Sequence, residues 1–80
     1  MQKTKRVILT CLKNKGTCNR FQIRHYFQKT TKPTNGTELI KNLNDLEKAG
    51  CVSNRDGNYT LKKKGEELRI MLVRVVEILA

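Results

Sequence analysis

The stretch GCVSNRDGNYTL, residues 50–61, restricts this chain more than any other. Asp56-Gly57 is a type I′ turn signal, because both central residues of that turn need positive φ and Asp-Gly tolerates it. With Asp56-Gly57 as the loop, Arg55 opposes Asn58, Asn54 opposes Tyr59, Ser53 opposes Thr60 and Val52 opposes Leu61. Alternation along the strands puts Val52 and Leu61 on one face, the face that meets a core. Arg55 and Asn58 fall at the tip, where no core can use them. A lone two-stranded hairpin is marginal in water. It must lean on helices or on a third short strand, for which Thr17-Cys18 is the candidate.

The rest of the chain reads as helices. Over 4–14, Val7, Ile8, Cys11 and Leu12 recur at helical spacing, and Gly16 suits the position after a helix end. Asn19 can cap a second helix over 19–29, with Gln22 closing a capping box and Ile23, Tyr26 and Phe27 forming its buried face. Pro33, in TTKPTNG, marks a turn. Asn35 then caps a third helix, with Glu38 as its box partner. Over 37–50 the stripe is Leu39, Leu43 and Leu46, with Ile40 on its edge. Thr37, Lys41, Asn44, Asp45 and Lys48 take the opposite face, and Gly50 ends the helix.

A last helix covers 63–80. It has apolar residues enough for two seams: Leu68, Met71, Leu72, Val75, Val76, Ile78 and Leu79. One small core cannot cover them all, and surplus apolar surface marks an interface. The expectation is a two-fold homodimer through Leu68, Met71, Leu72, Val75, Val76 and Leu79. The fold class expected is mainly α with a small β-hairpin: residues 1–62 as the domain proper, and 63–80 as a dimerisation element of that same domain.

Charge narrows the partner. Seventeen Lys+Arg stand against seven Asp+Glu, a formal net charge of +10 over 80 residues. Glu38 is the first acidic residue of the chain. Such a domain attracts polyanions. No leader or membrane span is expected, since the apolar runs are short or broken by charge; an intracellular, nucleoid-associated protein is the expectation. Cys11, Cys18 and Cys51 form no CxxC pair and read as small packing residues, and zinc binding with His25 lacks the usual spacing. If the first strand pairs with the hairpin, Cys18 and Cys51 could approach, which leaves a disulfide open. No nucleophile–base pattern, paired carboxylates or phosphate loop is present. Neither an enzyme, a cofactor, a metal nor a small-molecule ligand is expected.

The order helix, strand, helix, turn, helix, hairpin, helix, together with LNDLEKAGCVSNRDGNYTLKKKGEEL (43–68), resembles the winged helix-turn-helix transcription regulators of bacteria, archaea and their viruses, in particular the MarR-, ArsR- and PadR-like groups. The matching pieces are Leu46 to Val52, Arg55-Asp56-Gly57, Tyr59-Thr60-Leu61 and Lys64 to Leu68. The resemblance implies that helix 37–49 enters the major groove of double-stranded DNA and that the wing, 53–60, reaches backbone or minor groove. Base-facing positions then fall on Thr37, Lys41 and Asn44. The wing cation falls on Arg55, beside Asn58. Two features depart from the pattern. Lys62 stands where the family often has a capping Ser or Thr, and Asp45 faces solvent, where it repels phosphate unless it pairs with Lys41 or Lys48 or accepts from a cytosine amino group.

Around this frame, Arg20, Arg24, Lys29 and Lys32 suit phosphates, which position a protein without specifying sequence. Lys62, Lys63 and Lys64 oppose the dipole of the last helix, a cost that a bound phosphate reverses. The function expected is a sequence-specific, dimeric transcriptional regulator. The alternatives are a non-specific nucleoid-type DNA binder and a winged-helix protein-interaction module. A membrane-surface role explains the wing poorly.

Overall fold

The computed structural model describes residues 2–30 and 36–79, with side chains for 3–29 and 36–74. The turn at Pro33, the Asn35 cap, Lys32 and the side chains of Val75, Val76 and Leu79 lie outside the described residues. Four helices and three short strands follow in the order α1 (Gln2–Lys15), β1 (Cys18–Asn19), α2 (Arg20–Thr30), α3 (Gly36–Lys48), β2 (Val52–Arg55), β3 (Asn58–Leu61) and α4 (Lys63–Leu79). The molecule is mainly helical with one small antiparallel sheet, ordered β1-β3-β2.

The hairpin has the expected register, Val52 opposite Leu61 through Arg55 opposite Asn58. Asp56 has φ 53° and Gly57 φ 85°, the left-handed pair that a type I′ turn requires. The Asn54 side chain adds a brace: its Oδ1 accepts the Gly57 N–H at 3.0 Å. The third strand lies one residue later than expected. Cys18 pairs with Tyr59 and Asn19 with Asn58.

Local signals set the helix ends. Asn19 Oδ1 accepts the Gln22 N–H at 2.9 Å, and Gln22 Oε1 accepts the Asn19 N–H at 2.8 Å. This closes the capping box that starts α2. At the end of α3, Cys51 N–H donates to Leu46 O and Gly50 N–H to Glu47 O, with Gly50 at φ 77°. That pair of bonds is a Schellman motif. It turns the chain straight into β2.

The core gathers on α1. Ile8, Leu9, Cys11 and Leu12 are buried there, with Val7 packed at the margin. Leu9 lies outside the single expected stripe. It is buried because α1 packs against α2, α3 and α4 together, so one stripe cannot satisfy its neighbours. Ile23 and Phe27 of α2, Leu39, Leu43 and Leu46 of α3, and Cys51, Val52 and Tyr59 around the sheet complete the core. Asn42 is buried among them; its Nδ2 donates to the Glu38 carbonyl at 2.9 Å.

One expectation needs correction here, and one open question is answered. Leu72 is 9% exposed and belongs to the core, and Leu68 packs against it. Sequence alone places both in a dimer seam, but α4 lies along α1 and spends them on its own domain. Met71, at 54% exposure, and Ile70, at 41%, stay on the surface. All three cysteines are free and buried, so Cys18 and Cys51 form no disulfide. Burial first, and Cys18 second, push the Cys11 thiol up to about 12, with Lys15 opposing.

The start of α4 is seated by one carbonyl. Cys51 O accepts the Lys62 N–H at 3.0 Å, and a Cβ on Gly65 would collide with that same oxygen. Glycine is what allows the helix to approach the base of the hairpin this closely.

Candidate nucleic-acid interface

The α2 sequence RFQIRHYFQKT contains no carboxylate. Its capping box fixes where the helix begins, and so fixes the direction of the two residues that follow. Arg20 and Phe21 are both exposed, and the Arg20 guanidinium lies 5.1 Å from the centroid of the Phe21 ring. This is within cation–π range. Arg24 is exposed one turn further on. With Gly36, Leu39 and Ile40 of α3, these three residues line a shallow cleft of about 240 Å³ between the two helices.

On α3, burial of Leu39, Asn42, Leu43 and Leu46 directs the other face outward. Thr37, Lys41 and Asn44 are all exposed, as expected for the base-facing set. Asp45 does not pair with Lys41 or Lys48. Its carboxylate lies 3.8 Å from Lys5 Nζ, on α1. Glu38 is half-buried and accepts from Thr4 of α1 at 3.5 Å. Two of the acidic groups on α3 are thus engaged by α1.

The hairpin supplies a second cluster. Ser53, Arg55, Asn58 and Thr60 share the face away from the core, and with Thr17, Asn54 and Asp56 they line an open polar groove of about 660 Å³. The hydroxyls of Thr17, just before β1, and Thr60, on β3, are 3.0 Å apart. Arg55 and Asn58 are therefore at one end of a polar surface rather than alone on a loop tip. Lys62, Lys63 and Lys64 are exposed at the start of α4.

The cations divide by their partners. Lys5 pairs with Asp45, while Lys13, at 3.7 Å, and Arg69, at 2.7 Å, pair with Glu66. Hydrogen bonding from Arg69 holds the Glu66 carboxyl below its usual range. Among the described residues, no carboxylate lies within ion-pair distance of Arg20, Arg24, Lys29, Lys41, Lys48, Arg55, Lys62, Lys63 or Lys64, nor of Lys3, Arg6, Lys15 and Arg74 on α1 and α4.

Sequence reasoning missed Phe21 and undervalued Ile40. Phe21 is 67% exposed and Ile40 41%. The signal for Phe21 was its position between the two capping residues, off the face of Ile23 and Phe27. It also missed Thr17, Ser53 and Thr60, whose alignment needs the β1–β3 pairing. His25 is exposed, and among the described residues no cluster of three His, Cys, Asp or Glu could hold a metal ion. No helix of the described residues is long and apolar enough to cross a membrane. No family model matches this chain, and no curated protein or solved structure matches it either.

Proposed function

We propose that this protein is a sequence-specific double-stranded DNA-binding protein, a dimeric transcriptional regulator built as a winged helix. In this reading α3 enters the major groove, and Thr37, Lys41 and Asn44 meet base edges. Lysine suits guanine and asparagine suits adenine there. Arg55 and Asn58 take the wing to backbone or minor groove. Arg20, Arg24 and Lys62, Lys63 and Lys64 hold phosphates.

One observation carries the reading. The cations of α2, α3 and the hairpin have no carboxylate partner among the described residues; on α1 and α4, Lys5, Lys13 and Arg69 do, and Lys3, Arg6, Lys15, Lys63, Lys64 and Arg74 do not. Unpaired surface cations gain from an external polyanion; paired ones would first have to give up a partner. Engagement of Asp45 by Lys5 supports it further, because it offsets the carboxylate that α3 would otherwise turn toward phosphate. Dimerisation rests on Ile70 and Met71, which remain exposed after Leu68 and Leu72 join the core. Met71→Glu is expected to yield monomers in sedimentation.

The test is fluorescence anisotropy of a labelled random duplex over a salt series. A steep fall of log K with log salt is expected, and its slope counts the phosphates neutralised. Absence of binding at low salt would overturn the proposal in favour of a protein-interaction module. Selection from random sequence then separates a regulator from a nucleoid-type binder. A regulator prefers its site by about 10³-fold or more.

A further inference from the structure

The cleft between α2 and α3 presents apolar surface where the proposed interface has its strongest charge. Phe21 and Ile40 line it together and are both exposed, and the guanidinium-bearing residues Arg20 and Arg24 line the same cleft. A large aromatic side chain left 67% in water is unfavourable for the free domain. The cation over its ring holds it in that position. Ile40 is one residue from Lys41 and one turn from both Thr37 and Asn44, so it belongs to the face that the DNA reading turns to the bases.

We infer that Phe21 and Ile40 form a reader of thymine methyl groups. This rests on the DNA reading above. On the major-groove edge of the base pairs, the thymine C5-methyl is the apolar group, and every other distinguishing feature is a hydrogen-bond donor or acceptor. Thr37, Lys41 and Asn44 can address the donors and acceptors; their polar ends have no use for a methyl. The flanking guanidiniums favour an occupant that carries negative charge next to its apolar group. A thymidine nucleotide does so through its phosphates. The cleft, at about 240 Å³, is of a size to take a base edge.

The test needs no known operator. Two labelled duplexes are compared by anisotropy at one salt concentration: an alternating A–T duplex, and the same duplex with every thymidine replaced by deoxyuridine. The wild-type protein is expected to bind the deoxyuridine duplex about fourfold more weakly for each methyl group it would otherwise bury, the transfer value of one such group. Phe21→Ser and Ile40→Ser are expected to bring the ratio to near one and to leave the salt slope unchanged. Both positions are exposed, so circular dichroism should show both variants folded.

Equal affinity of the wild-type protein for the two duplexes, with a normal salt slope, would overturn the inference and leave the DNA reading standing. Binding to neither duplex at low salt would overturn both. A ratio that survives in both variants would remove Phe21 and Ile40 from the role. So would loss of self-association in Phe21→Ser with an unchanged ratio, which would assign the patch to a second copy of the chain.

Discussion

The α1–α4 side of this molecule and its α2–α3–hairpin side carry the same kinds of charge to different ends. On the first, Lys5, Lys13 and Arg69 each meet a carboxylate, and Lys3, Arg6, Lys15 and Arg74 meet none among the described residues. On the second, Arg20, Arg24, Lys41 and Arg55 meet none among the described residues. Net charge alone would have predicted a uniform cationic coat. Its actual distribution engages Lys5 and Lys13 between helices and Arg69 within α4, and leaves Lys3, Arg6, Lys15 and Arg74 of the same two helices without a carboxylate among the described residues. Substitutions on the first side should therefore move stability, and substitutions on the second should move binding.

The largest effect on the first side is expected from Gly65→Ala. A methyl there meets the Cys51 carbonyl and the Leu61 side chain, and the carbonyl is backbone that cannot rotate away. A cost of about 3 kcal/mol is expected, the upper end for overpacked sites. A domain of this size has a total stability on the order of 4 to 12 kcal/mol. Urea denaturation should show a large fall in midpoint. DNA affinity should fall only as far as the folded fraction does.

The reverse pattern is expected from Arg20→Ala, Arg24→Ala and Arg55→Ala together. At about 1 kcal/mol for each exposed guanidinium–phosphate pair, the triple variant should bind random duplex on the order of a hundredfold more weakly. Its salt slope should drop by about one for each phosphate no longer neutralised. Its thermal midpoint should not change. Lys5→Ala and Lys13→Ala are the matched controls, and a slope that falls equally in them would erase the distinction between the two sides.

The difference between the sides also tracks what could be read from sequence. The hairpin register, the Asn19–Gln22 box, the α3 stripe and the exposed set Thr37, Lys41 and Asn44 were legible, because each depends on residues within a few positions of one another. The pairing of Lys5 with Asp45 was not. The residues are distant in sequence, and nothing local distinguishes Lys5 from Lys41 or Lys48 as a partner. Leu9 and Leu72 escape a local reading for a related reason. A helix with several neighbours buries more than its strongest stripe, and which apolar residues α4 has to spare depends on where α1 lies. The exposure of Phe21 was half legible. Its place in the capping box fixes its direction, but that this direction leads to α3 is a tertiary fact.

A pH-dependent effect belongs to Cys11 of α1, whose neighbour Cys18 lies on β1. The folded state keeps the Cys11 proton to about 12, whereas the thiol of the unfolded chain ionises near 9.0. The unfolded state therefore loses its proton first. The stabilisation is fully present below about pH 9 and is lost as pH rises from there toward 12, by at most about 1.4 kcal/mol per pH unit. Urea titrations at rising pH should show this slope, and Cys11→Ala should lack it. If DNA affinity of the folded protein changed in parallel, the two sides would not be independent.

Asp45→Asn gives the smallest effect and joins the two sides, since Asp45 sits on α3 but pairs with α1. The pair is partly exposed and long, at 3.8 Å, so its loss should cost a few tenths of a kcal/mol, measurable at low salt and absent at high salt. Binding should respond in the opposite direction. The substitution removes a negative charge from α3 and releases Lys5, so affinity for random duplex should rise a few-fold. A fall in affinity confined to a selected site, with random duplex unaffected, would mean that Asp45 leaves Lys5 to accept from a cytosine amino group. In that case the carboxylate would be a reader of sequence, and the boundary between paired and available charge would run through α3 itself.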